Sequence, residues 1–192
     1  MKLLKILPII FVLLIIPRQS FADMPEITAG QTYFDVFKGH YVLKDNVRVT
    51  INNHGFKASV MANEARVNVV AQKCWAMGAV TFAHVDYALK CDNAYLHWND
   101  KTAELVGAID FTGKKGVKIN SDTATFNWDD KDANFYGNVK VVAAKNLNFA
   151  SGLKLEDGMT YAHVRYNVAE NKILQLDKTF DIPKIEIPDP DK

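Results

Sequence analysis

The chain has 192 residues, 48% of them apolar, with 23 basic against 22 acidic side chains. Apolar content this high excludes a disordered chain, and the even charge balance excludes the basic stripe of a nucleic-acid binder. Two cysteines cannot staple a small scaffold, so the fold must rest on a core, which a chain of this length can bury as one domain.

The chain opens MKLLKILPIIFVLLIIPRQSFADM. Lys2 and Lys5 make a basic start, an apolar run follows from Ile6 to Ile16 broken at Pro8, and small residues Ser20 and Ala22 precede Asp23. This is the layout of a secretory signal peptide cut after Ala22. The run is shorter than the about 20 residues that span a bilayer; the alternative is an uncleaved N-terminal anchor. Removing Lys2, Lys5 and Arg18 takes the formal charge from +1 to −2. The expected organisation is residues 1–22 as leader, 23–179 as one folded domain, and 180–192 as a Pro-containing tail.

From Ile27 onward the chain alternates apolar and polar residues, the period of a half-buried strand. The alternation changes phase at five places. Ile27 and Ala29 hand over to Thr32, Phe34 and Val36; Phe56, Ala58, Val60 and Ala62 to Ala65, Val67 and Val69. Tyr87, Leu89 and Cys91 hand over to Ala94, Leu96 and Trp98, Val117 and Ile119 to Ala124, Phe126 and Trp128, and Met159 and Tyr161 to Val164, Tyr166 and Val168. The slips begin at Ala29, Ala62, Cys91, Ser121 and Tyr161, at intervals of 33, 29, 30 and 40 residues, which marks a repeat.

After each of the first four slips comes a turn signal and a return strand: DNVRVTI, GAVTF, GAIDF and GNVKVV, which superpose Val47, Val80, Ile109 and Val139. The returns end at Asn52–Gly55, near His84, at Gly113–Gly116 and at Asn146–Asn148, which read as hairpin turns. The fifth return is degenerate. One extra residue in a strand is a β-bulge, which bends the strand. The expectation is that Asn63, Asp92 and Asp122 occupy the bulge, with Gly30 in the first copy. Stacked corners make an all-β fold: one antiparallel sheet of bent strands folded over on itself, open at both ends, with an apolar trough inside.

The repeated corner and the G-N-V returns, clearest in INSDTATFNWDDKDANFYGNVKVV and VMANEARVNVVAQKCWAMGAVTF, resemble the LptA/OstA-like family over about residues 27–179. The resemblance implies an OstA-like β-jelly roll and a periplasmic protein that bridges lipopolysaccharide towards the outer membrane. The two ends of such a stack are exposed edge strands, so related OstA-fold partners are expected to pair edge to edge near Ile27–Val36 and Tyr161–Leu176, including in a head-to-tail homo-oligomer; the alternative is that the termini cover these edges. The LptC-like branch, with a retained anchor, is the close alternative. Gly30, Asp45 and Ala162 depart from the family pattern and set the two end repeats apart.

A lipid carrier needs a long apolar groove, because each exposed methylene costs about 0.8 kcal/mol. The expected lining is Phe34, Val67, Val69, Leu96, Trp98, Phe126 and Trp128; the same residues would serve equally as plain core. Two rival readings are an envelope β-solenoid that binds only proteins and a sugar-binding jelly roll using Tyr33, Tyr95 and His97. The five histidines lack ligand spacing, so neither metal nor cofactor is expected. Cys74 and Cys91 are either a disulfide or two buried thiols. No nucleophile elbow, phosphate loop or placed acid–base pair is present, so no enzyme is expected.

Overall fold

A computed structural model describes residues 26–190 except 54, 55, 98 and 145. The leader (residues 1–22) and its cleavage site, the His54–Gly55 turn tip and Trp98 lie outside the described residues. Within them, twelve strands form one sheet and there is no α-helix, as the alternation requires.

The outgoing strands are β1 (Glu26–Thr28) with β2 (Gln31–Asp35), β4 (Phe56–Asn68), β6 (Ala88–His97), β8 (Lys118–Asn127) and β11 (Thr160–Asn167). The returns are β3 (His40–Asn53), β5 (Lys73–His84), β7 (Thr102–Thr112), β9 (Asp132–Val142) and β12 (Lys172–Asp177). Both β1 and β2 pair with β3, so they are one bent strand interrupted at its corner. From β3 to β12 each long strand pairs antiparallel with the next. The corners align across the sheet, and the inward corner residues Ala62, Cys91, Ser121 and Tyr161 are all buried, as are Val47, Val80, Ile109 and Val139 on the returns.

The bulge lies on the opposite strand from the one expected. Between Lys44↔Glu64 and Val47↔Ala62, two residues of β3, Asp45 and Asn46, face one residue of β4, Asn63. The same two-against-one count sets Gly78–Ala79 of β5 against Asp92 and Gly107–Ala108 of β7 against Asp122. On its other side, Gly107–Ala108 also abuts Asp92. Each pair on the return strand, Gly137–Asn138 of β9 included, takes two successive left-handed conformations. The reason is steric: the outgoing Asn or Asp side chain covers the return glycine, and a Cβ on Gly107 would sit 2.0 Å from Asp92 Oδ2. In the first copy the two parts are exchanged. Gly30 stands on the outgoing strand, its ideal Cβ position 2.8 Å from the Cβ of Asp45.

The hairpins on one rim are also repeated. Residues 35–40, 68–73, 97–102, 127–132 and 167–172 form matching turns, with Gly39, Gln72, Lys101, Lys131 and Asn171 left-handed at the fifth position. Asp35 Oδ1 accepts the Phe37 and Lys38 amides, Asn68 Oδ1 that of Ala71, Asn127 Oδ1 those of Asp129 and Asp130, and Asn167 Oδ1 that of Glu170. Such turns need a short polar first residue to hold the amides the bend leaves unpaired.

Two segments depart from the repeat. The link between β9 and β11 is not a hairpin at Asn146–Asn148. It crosses to the far edge, where β10 (Asn148–Phe149) pairs parallel with Lys172 and Ile173 of β12. This accounts for the longest interval. Its Leu147, Phe149, Leu153, Leu155 and Met159 pack on the main core. The tail was expected to guard that edge or to be disordered. Instead it lies across the outer face: the Phe180 ring stacks 4.3 Å from His163, and Trp75 Nε1 donates to Pro188 O at 2.9 Å. The eight residue steps from Phe180 to Pro188 span about five strand spacings, from β11 to β5, as an extended strap running across the strands would.

Candidate functional site

The folded sheet encloses an apolar cavity of about 380 Å³ between its two halves. On the side of the rim turns it is lined by Leu96 of β6, Leu105 of β7, and Phe126 and Trp128 at the end of β8. Beyond the corners come Val60 of β4, Phe82 of β5, Tyr87, Leu89 and Phe111. These positions meet because each strand bends at the same height, bringing inward residues from before and after the corner face to face. The phase change seen in the sequence is what keeps both sets pointing inward.

Phe82 stacks on Tyr87 at 5.5 Å, and Tyr87 lies 6.4 Å from both Phe111 and Phe126, so an aromatic wall runs down one side. Burial, with Asp86 alongside, raises the Tyr87 phenol above its ordinary value and keeps it neutral. Thr125 is the lone aliphatic hydroxyl among the lining residues. Phe82, Leu89, Leu96, Phe126 and Trp128 are only half-buried, so the cavity is reached from solvent. Its volume lies within the range of about 300–1,000 Å³ typical of ligand pockets. A far smaller engineered apolar cavity, about 150 Å³, already stays dry and takes benzene.

The packing around the cavity is uneven. Towards the C-terminal copies the interior is sealed by Ile119, Phe135, Val139, Val164, Tyr166 and Ile173, each 0–1% exposed. Towards the first copies a small separate cluster of Leu43, Val47 and Ala65, joined by Ala29 and Val67, replaces it.

Of the expected lining residues, Leu96, Phe126 and Trp128 border the cavity. Val67 belongs to the small cluster instead. Phe34 is 46% exposed, its ring 4.9 Å from Tyr41, and Val69 opens a rim turn; neither lines the cavity. Trp98 is outside the described residues. The far wall (Val60, Phe82, Tyr87, Leu89 and Phe111) was missed because the expectation followed only the outgoing strands beyond their slips. The alternation on either side of the corner carried the same inward signal.

Cys74 and Cys91 are free thiols. Cys74 lies opposite Leu96 and Cys91 opposite Val80, six residues apart along β5, or about 20 Å of strand. Burial pushes both thiols up to about 12, with Asp92 adding to it at Cys91. Among the described residues no three His, Cys, Asp or Glu side chains converge as metal ligands would. Tyr33, Tyr95 and His97 do not form one row: Tyr33 is an exposed residue of β2, while Tyr95 is buried on the outer face against Trp75 and His97.

No family model matches this chain, and no curated protein matches its sequence. Its fold is similar to the crystal structure of LptH from Pseudomonas aeruginosa, the LptA homologous periplasmic component of the conserved lipopolysaccharide transport device. The TM-score is 0.55 at 10% identity, over 64% of this chain and 96% of that one. The all-β folded sheet is thus of the LptA-like jelly-roll kind.

Proposed function

We propose that this chain binds lipopolysaccharide in the periplasm and bridges its passage to the outer membrane, with acyl chains held in the cavity. One observation carries the reading: an apolar cavity of about 380 Å³, reached from solvent, inside a fold shared with a lipopolysaccharide transport component. A protein-binding scaffold would need no such void, and filling it with side chains would stabilise it. None of the described residues that line the cavity is charged, which suits binding and release. No helix among the described residues is long and apolar enough to cross a membrane. The segment before Asp23 decides between a soluble and an anchored, LptC-like form. Mass spectrometry of the exported protein is expected to find Asp23 as the first residue.

Related folds would pair at sheet edges, and the two edges differ. Among the described residues the edge made by β1 and β2 has no further partner strand, whereas β10 occupies part of the β12 edge. This favours a partner at the N-terminal edge over an unlimited head-to-tail polymer.

The test is direct binding of lipopolysaccharide to purified variants that remain folded by circular dichroism. Leu96→Arg sets a charge in the cavity and Val60→Trp fills it. Each should weaken binding at least tenfold, or about 1.4 kcal/mol, while Lys90→Ala on the exposed side of β6 should not. Unchanged binding by both cavity variants would refute the proposal.

A further inference from the structure

The five matching rim turns do not carry the same chemistry. In the last three, the residues at the tip are Asn99–Asp100, Asp129–Asp130 and Ala169–Glu170; in the first two they are Phe37–Lys38 and Val70–Ala71. Phe37 is 96% exposed and Val70 93%, with Val36 at 71% beside them. Because β3 pairs with β4, these two tips are neighbours on one corner of the molecule.

We propose that this pair of tips docks the protein on a phospholipid bilayer, with Phe37 and Val70 entering the headgroup–acyl boundary. Three features favour a lipid surface as the occupant. The apolar side chains protrude from turn tips instead of lining a hollow, so they suit a fluid surface better than a shaped partner. The backbone there is largely satisfied from within: Asp35 holds the amides of Phe37 and Lys38 with its carboxylate and that of Gly39 with its carbonyl, and Asn68 holds that of Ala71. Dehydrating such a turn leaves few orphaned polar groups, which is the condition for entering a membrane. The charges also fit. Lys38 and Lys73 stand in these two turns against one acidic residue, Asp35, so the pair of turns is net positive. The other three tips carry acidic residues that anionic lipid would repel. Only one end of the rim can therefore approach a bilayer, which would set the first copies at the membrane and the sealed end away from it.

The inference does not depend on what fills the cavity. It is tested with vesicles of phosphatidylethanolamine and phosphatidylglycerol containing no lipopolysaccharide. F37W should give a blue-shifted emission on adding vesicles, and V85W, on the opposite rim at a residue 78% exposed, should not. Flotation of F37S/V70S with vesicles should fall at least tenfold below that of the parent chain, while Leu96→Arg floats as the parent does. An unshifted F37W, or flotation unaffected by F37S/V70S, overturns the proposal. So does a double variant that changes only self-association in sedimentation, which would make the tips a protein contact.

Discussion

Asn171 shows how much one residue can carry in a repeated fold. It occupies the left-handed position of the last rim turn, at φ 50°, and is 3% exposed. Its Oδ1 accepts the Tyr166 hydroxyl at 2.8 Å and its Nδ2 donates to Asn146 O at 2.8 Å, tying the turn to the link that crosses to β10. Asn171→Ala removes both bonds and keeps a conformation alanine resists, so it should cost about 2–4 kcal/mol in chemical denaturation. Asn171→Gly, which accepts the backbone, should cost less. The cysteines give a pH signature. Their folded values, raised from 9.0 to about 12, mean that the unfolded chain loses its thiol protons first. Stability from this source is therefore intact below pH 9 and falls as pH rises from 9 to 12. Cys74→Ser/Cys91→Ser should flatten that fall. In the native protein a thiol reagent should react slowly, and in denaturant it should count two thiols.

At the scale of the strand, the corner explains what the sequence could and could not reveal. The phase change at Ala62, Cys91 and Ser121 was legible because inward and outward positions differ sharply in polarity. The left-handed pairs were not, because alternation passes through them unbroken: Ala76 and Val80 are both inward, four residues apart across Gly78–Ala79. A bulge on a return strand thus leaves no mark in its own hydrophobic pattern and shifts its neighbour's instead. Gly107 and Gly116 separate the two roles of glycine. Both have positive φ, but a Cβ on Gly116 meets nothing within 4 Å, whereas one on Gly107 meets Asp92. Gly116→Ala should cost about 1 kcal/mol and Gly107→Ala distinctly more in the same melt. Asp92→Ala in the Gly107→Ala background should recover part of the difference.

Across the whole molecule, the packing grades from a sealed C-terminal end to a loose N-terminal one, and the cavity lies between. Periodicity gave the architecture, since five bent strands with aligned corners can bury their apolar faces only by folding over. It gave only part of the site. Leu96, Phe126 and Trp128 could be read as lining, but Phe34 and Val69 carry the same alternation without a facing layer to bury them. The crossing link and the outer-face strap were illegible for a related reason: neither has a period, and each is fixed by single anchors such as Phe180 on His163 and Pro188 on Trp75. The reading of the cavity as a lipid site is tested most directly by photo-crosslinking in cells, with a benzophenone amino acid at Phe126 inside the fold and, in parallel, at Lys90 outside it. The account predicts lipopolysaccharide adducts at Phe126 and none at Lys90. Adducts to protein alone at Phe126, or equal lipid labelling at both positions, would contradict it.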